Sequence, residues 1–284
     1  MFLSGKRLDR HYTPESTVLY QVGVSAGEMS EPAMKLFKPG MKLAFGHILF
    51  AFAAAPMVAL AEQPVPDPFS LYRDVRAPVE AATTFSVHVE KQFDVVMLDG
   101  AMVLYSGALD ILAERAGALH IDYGDDLSAK ELWYDGTTLT LIDHLHNVYA
   151  QVPAQGRVAT MLVDVNERYG LQLPLAPLLG AGVADDFEDH VHSASYLGIH
   201  DAEGEPCHHV LFRGASVDLQ AWITMGEKPL LRKMVATFRE IDGSPQQTLI
   251  FSDWDLKARA KSRDFKAKIP DDAVRTEFLV LTEE

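Results

Sequence analysis

From Phe85 to Met97 the chain alternates. Phe85, Val87, Val89, Phe93, Val95 and Met97 share one parity, and Ser86, His88, Glu90, Gln92 and Asp94 share the other. A period of two over such a length predicts a long strand with one buried face. Asp99-Gly100 then marks a hairpin turn, and Val103, Tyr105, Leu109 and Ile111 line one face of the returning strand. Leu119, Ile121 and Tyr123 alternate again before Gly124-Asp125-Asp126. Asp135-Gly136 divides "ELWYDGTTLTLI" into two short strands, and "NVYAQV" forms another.

Two segments break this rhythm. Leu71, Val75, Pro78 and Val79 are spaced for a helix over 71–82 that Pro78 bends or ends, after an extended, proline-rich lead-in, "EQPVPDPFS". Val158, Met161, Leu162, Val165 and Tyr169 recur at three and four, predicting a helix over 158–171 with Gly170 at its stop. "LPLAPLLGAG" continues as an apolar turn or short helix, and "VADDFEDHVHS" is an acidic connector. Strands resume in "SYLGIH", "CHHVLFR", "VDLQAWIT", "LRKMVATFRE" and "QTLIFSDW", with a turn at Asp242-Gly243, and "FKAKIPDDAVRTEFLVL" is a last extended segment. About ten antiparallel strands with two helices predict a mainly β (α+β) fold, a curved sheet wrapped around a few helices. Residues 62–284 read as a single domain.

The start of the chain has a different logic. Lys35, Lys38 and Lys42 precede an apolar run from Leu43 to Ala55, and Ala59-Leu60-Ala61 follows. Residues 34–61 thus have the layout of a secretory signal peptide cleaved after Ala61. Their apolar run is short of the roughly 20 residues a membrane span needs. Residues 1–33 lack periodicity and are read as a non-native upstream extension or a disordered leader. Export also frames the single cysteine, Cys207, because no intramolecular disulfide is available and the core must hold itself together. The formal net charge of −15 argues against nucleic acid as a partner, since phosphate binding needs clustered Lys and Arg.

The stretch with the most apparent chemistry is "PCHHVLFRG". On a strand, Cys207, His209, Leu211 and Arg213 share one face and His208, Val210 and Phe212 the other. Two ligands fall short of a zinc site, which takes three or four. A cysteine flanked by apolar strand residues is a small buried hydrophobe before it is a nucleophile. The carboxylates and histidines of 185–192 fit no calcium cage and read as a solvated loop. "DHLHN" at 143–147 reads as a turn between strands. No nucleophile elbow, phosphate loop, dinucleotide fingerprint or paired-carboxylate signature is present, so no catalytic residue, metal or cofactor is assigned.

The order of several motifs resembles a family of predicted periplasmic proteins of unknown function, grouped with the LolA/LolB-like lipoprotein carriers. These motifs are "LWYDGTTLTL", "NVYAQVPA", "YGLQLPLAPLL", the long run "YLGIHDAEGEPCHHVLFRGASVDLQAWITMGEKPLLRKMV" and "PQQTLIFSDW". The likeness spans about residues 70–282. Its specific part includes Cys207, His209, Phe212, Arg213, Asp218, Gln220, Trp222, Gly226, Pro229 and Arg232; Leu219 and Leu231 depart from it where Trp and Pro are expected. The resemblance implies an eleven-stranded half-barrel whose mouth is plugged by helices, and it brings no activity. In that frame "CHHVLFRG" becomes a central wall strand, and His209, Arg213, Asp218 and Gln220 are candidates for a structural polar cluster across the "RGAS" turn.

The functional expectation is a periplasmic binding protein that holds a lipid, an acyl chain or a lipoprotein anchor. The alternative is a non-catalytic envelope scaffold with a solid core. Candidate cavity-lining residues are Phe85, Val87, Val89, Phe93 and Val95 on one wall and Val103, Tyr105 and Leu109 on the next. Trp222 joins them, and Met161, Leu162 and Val165 form the apolar stripe of a helical lid.

Overall fold

The computed structural model describes residues 65–169 and 187–278. The expected signal peptide, leader, Gly170, and the "LPLAPLLGAG" segment lie outside the described residues. Helix α1 (Pro68–Ala81) begins three residues earlier than the spacing predicts. Asp67 caps it by accepting the Ser70 N–H at 2.9 Å, and Pro68 occupies the first turn, where a missing N–H costs nothing. Pro78 lies inside the helix close to its end. Leu71, Val75 and Val79, four residues apart, are its buried stripe.

The strands follow as β1 (Thr84–Val96), β2 (Met102–Glu114), β3 (Ala118–Asp125), β4 (Ser128–Tyr134), β5 (Thr138–Asp143) and β6 (Val148–Pro153). Helix α2 (Val158–Tyr169) comes next, then β7 (Val191–Ala202), β8 (Glu205–Gly214), β9 (Val217–Thr224), β10 (Leu231–Phe238), β11 (Gln246–Asp255) and β12 (Val274–Thr276). They form one open, curved sheet in the order β12-β6-β5-β4-β3-β2-β1-β11-β10-β9-β8-β7. Strands β1 to β11 pair antiparallel, as expected, while β12 pairs parallel with β6. Two meanders, β1 to β6 and β7 to β11, join where β11 pairs with β1. No helix among the described residues is long and apolar enough to cross a membrane.

Several expectations change in detail. The last segment is not one extended strand: Ser262–Phe265 is a single 3-10 turn against β3, Phe265 is buried, and among the described residues of the tail only Val274–Thr276 join the sheet. The acidic connector ends earlier than expected, in a 3-10 turn at Glu188–His190, and β7 begins at Val191 and includes His192. Strand β8 is not central; among the described residues only β7 lies beyond it.

Cross-strand register defines an inner face. Val87 pairs with Ile111 and Ile111 with Ile121, Ile121 with Leu132, and Leu132 with Leu141. On the other side Val89 pairs with Phe251. These side chains join α1, α2, Val210, Phe212, Ala221 and Ile223 in one apolar cluster. Burial of each such large side chain is worth about 1.5–3 kcal/mol, and here it comes from helices laid on the sheet.

Candidate functional site

The inner face has two ends with different construction. At the first, where β1, β3 and β5 begin and β2 and β4 finish, both helices are locked down. Met161 and Val165 are fully buried, and Val158 and Leu162 nearly so. Arg115 ties both helices to the β2–β3 turn. Its Nε and Nη2 donate to Val79 O at 3.0 and 2.7 Å, satisfying a carbonyl at the end of α1, and its own carbonyl accepts the Val158 N–H at the start of α2 at 3.4 Å. Tyr134 donates its hydroxyl to Gly156 O at 2.6 Å. Three turns converge here, and Gly136 has φ +95°; a Cβ on it would lie 3.1 Å from Gly117 O, so the corner takes glycine for both conformation and space. Beside α1, Phe187 stacks on Tyr72 at 4.3 Å between ring centres and meets Phe212 edge-on at 5.1 Å.

The other end is the β1–β2 hairpin. Here Phe93 pairs with Tyr105 and Val95 with Val103, and all four side chains are only half-buried. Beyond them, in the turn, Leu98 is 87% exposed. Between the two ends the inner parity carries a charge. Lys91 faces inward, with its Nζ 3.9 Å from the centre of the Phe93 ring and 2.9 Å from the Tyr123 hydroxyl oxygen. Tyr123 in turn donates to Asp125. The Lys91 side chain is 12% exposed and that of Asp125 3%. Burial lowers the Lys91 pKa, and the Asp125 charge opposes that shift. Burial, followed by the bond to Asp125, pushes the Tyr123 phenol well above its ordinary value. For Asp125 burial is the largest single influence and acts upward. The bonds from Tyr123, the Leu127 N–H and Ser128, together with the Lys91 charge, outweigh it and hold the carboxyl below its usual range.

The alternation that marks Phe85, Val87, Val89, Phe93 and Val95 passes through position 91, so Lys91 occupies an inward slot in an otherwise apolar row. That lysine on the greasy parity is the signal that pattern-reading passed over. Of the expected lining residues, Phe85, Val87, Val89, Leu109, Met161, Leu162 and Val165 are placed in the packed cluster. Phe93, Val95, Val103 and Tyr105 form the half-buried row. Trp222 is on the opposite face. Its neighbours Ala221 and Ile223 turn inward to the cluster, while Trp222 stacks on His209 at 3.9 Å between ring centres. Strand parity fixes which residues share a face, and it does not say which face is inner.

The expected polar cluster resolves into separate pairs on that outer face. His209 Nε2 lies 3.2 Å from Gln220 Oε1 and its Nδ1 2.8 Å from His200 Nδ1. Arg213 reaches Asp218 at 3.8 Å, but Arg239 is the closer partner of that carboxylate at 3.1 Å. Burial lowers the His209 pKa against the opposing Gln220 bond. Cys207 is fully buried, and burial pushes its thiol up to about 11. A depression of about 340 Å³ opens elsewhere on the outer face, at the β1 bulge, among Ser86, His88, Asp110, Leu112, His120 and Asp253. There His88 Nδ1 is 2.7 Å from Asp110, and His120 stacks on Trp133 at 3.6 Å with its buried Nε2 4.0 Å from Glu131 and without a hydrogen bond.

Residues 70–279 match the family described as "Predicted periplasmic protein (DUF2092)". The chain belongs to that family. This agrees with the likeness carried by the motifs around Cys207 and Trp222. No curated protein matches the chain. Among solved structures it is similar to an uncharacterized conserved protein from Thermus thermophilus, at 10% identity and a TM-score of 0.42, covering 74% of this chain and 98% of that one. It is also similar to the Mycobacterium tuberculosis lipoprotein LppX, at 14% identity and a TM-score of 0.40, covering 69% and 100%. A LolA superfamily protein from Nitrosomonas europaea matches at 11% identity and a TM-score of 0.33, covering 71% and 98%. At these identities and scores, nothing about ligands or partners is carried over from them.

Proposed function

We propose that this DUF2092 protein is an exported periplasmic binder of acyl chains, free of its signal peptide after cleavage following Ala61, and that it works by binding rather than catalysis. The observation that carries the reading is the change along the inner face, from a fully packed end to the half-buried row of Phe93, Val95, Val103 and Tyr105. An acyl chain laid on that row gains about 0.8 kcal/mol per buried CH₂, which supports useful affinity without any catalytic group. Helix α2, with Met161, Leu162 and Val165 facing the sheet, closes the packed end of that row. The burial of those three residues also favours a second reading, a non-catalytic envelope scaffold with a solid core.

Native mass spectrometry of protein purified from the periplasm tests the proposal. An acyl-bearing adduct, with a mature chain beginning at Glu62, is the expected result. Protein without adduct that also fails to bind hexadecanol in titration overturns the binding reading and leaves the scaffold.

A further inference from the structure

We propose that Lys91, with Tyr123 beside it, binds the acidic headgroup of a single-chain amphiphile whose tail lies along the half-buried row toward the hairpin tip. This rests on the acyl-binding reading above and names the class of ligand.

The geometry around Lys91 is unbalanced in one direction. An ammonium has three donors. Among the described residues, Lys91 Nζ makes one hydrogen bond, to Tyr123 Oη at 2.9 Å, and the Asp125 oxygen lies at 3.8 Å, beyond hydrogen-bonding reach. Two donors on a largely desolvated cation are therefore unused. Asp125, by contrast, has most of its acceptor capacity engaged. It accepts from the Tyr123 hydroxyl, from the Leu127 N–H at 2.8 Å and from the Ser128 hydroxyl at 3.1 Å. The spare hydrogen-bonding capacity at this point of the inner face is mainly the two donors of the Lys91 ammonium, and an anionic oxygen acceptor completes it.

The neighbouring position extends the same bias. Lys130 pairs with Tyr123 across β3 and β4, is 41% exposed, and stands 4.0 Å from Asp143. Asp143 already accepts the His146 N–H at 3.1 Å and lies 3.0 Å from its ring nitrogen. A carboxylate or phosphate entering beside Tyr123 therefore meets Lys91 directly, with Lys130 on the next strand of the same face.

The strand between Lys91 and Tyr123 is built to permit this reach. Gly107 on β2 pairs with Lys91 on one side and Asp125 on the other. A Cβ at Gly107 would fall 2.4 Å from the Asp125 Cβ. Glycine removes the side chain that otherwise separates the lysine from the tyrosine and aspartate. Outward from Lys91, the six residues to Met97 span ~20 Å of strand, roughly the length of an extended sixteen-carbon chain. The headgroup is thus held inward, at the edge of the packed core, and the tail points to the hairpin tip.

The test is calorimetric titration of the full mature protein with palmitate, hexadecyl phosphate and hexadecanol, which share a tail length and differ in headgroup. The wild type is expected to bind at least one of the two acids about tenfold more tightly than the alcohol, and the better acid identifies the headgroup. Lys91→Met is expected to erase that preference by weakening acid binding far more than hexadecanol binding, and Lys91→Arg to retain it. The wild-type preference tests the proposal even if Lys91→Met fails to fold. Equal affinity of the wild type for all three ligands, or equal loss of acid and alcohol binding in a folded Lys91→Met, overturns the anchor and leaves the acyl-binding reading standing. No binding of any of the three overturns both.

Discussion

The two ends of the inner face start from the same alternating sequence and reach opposite states. Val87, Val89, Leu109 and Ile111 are buried to within a few per cent, whereas Phe93, Val95, Val103 and Tyr105, on the same parity of the same two strands, are half-buried. The difference does not come from their hydrophobicity. It comes from what is laid on them: α1 and α2, held by Arg115 and Tyr134, cover the first set. The changeover falls at Lys91, where the inner row first admits a charge. A strand pattern thus specifies a wall, and the placement of the helices decides which part of that wall is core and which part is surface available to a ligand.

Matched substitutions at the two ends should separate most strongly. Leu162→Asp and Val89→Asp place an unpaired carboxylate in the packed cluster. Each is expected to cost more than about 3 kcal/mol and to leave little folded protein. Val103→Asp at the open end is expected to cost less than about 1 kcal/mol while removing acyl binding. Urea unfolding of the three variants checks this, and equal destabilisation at both ends would erase the distinction.

Gly107→Val tests the crossing between the ends. A side chain there collides with Asp125 Cβ, and the measured loss should be about 1–3 kcal/mol. A neutral outcome would show that the β2–β3 approach is not needed. Tyr134→Phe removes a buried hydrogen bond to Gly156 O and should cost about 1–2 kcal/mol, all of it in stability and none in binding.

Acid provides a finer probe of the Lys91 region. The Asp125 pKa is held below its unfolded value. Its contribution to stability is therefore full above the unfolded carboxylate range and is lost as pH falls through the lower, folded value. Asp125→Asn should flatten that part of the pH–stability curve, measured by thermal melting from neutral to acid pH. An unchanged acid limb would place Asp125 outside the linkage.

Much of the wall was legible because period-two alternation survives in β1, β2, β3, β8 and β11, and because Asp99-Gly100 and Asp135-Gly136 mark hairpins. The start of α1 was obscured because Asp67-Pro68, a cap followed by a first-turn proline, also reads as part of a proline-rich lead-in. Strand β12 is too short to show a period, and its parallel partner, β6, lies over a hundred residues earlier. Trp222 was misplaced because parity groups residues without orienting the group. Lys91 is the instructive case. It broke the apolar pattern at a single position, which averaging over a strand conceals, while cross-strand register puts it beside Tyr123 and Asp125.

The most direct test of the central claim, that the open end binds acyl chains and the helix-covered end is structural, is hydrogen exchange of the native protein with and without hexadecanol. Bound ligand is expected to slow exchange in 93–105, and to a smaller degree in Val158–Tyr169, while 109–121 stays unchanged. Hexadecanol that leaves exchange in 93–105 unaltered, or that protects only the packed end, contradicts the account.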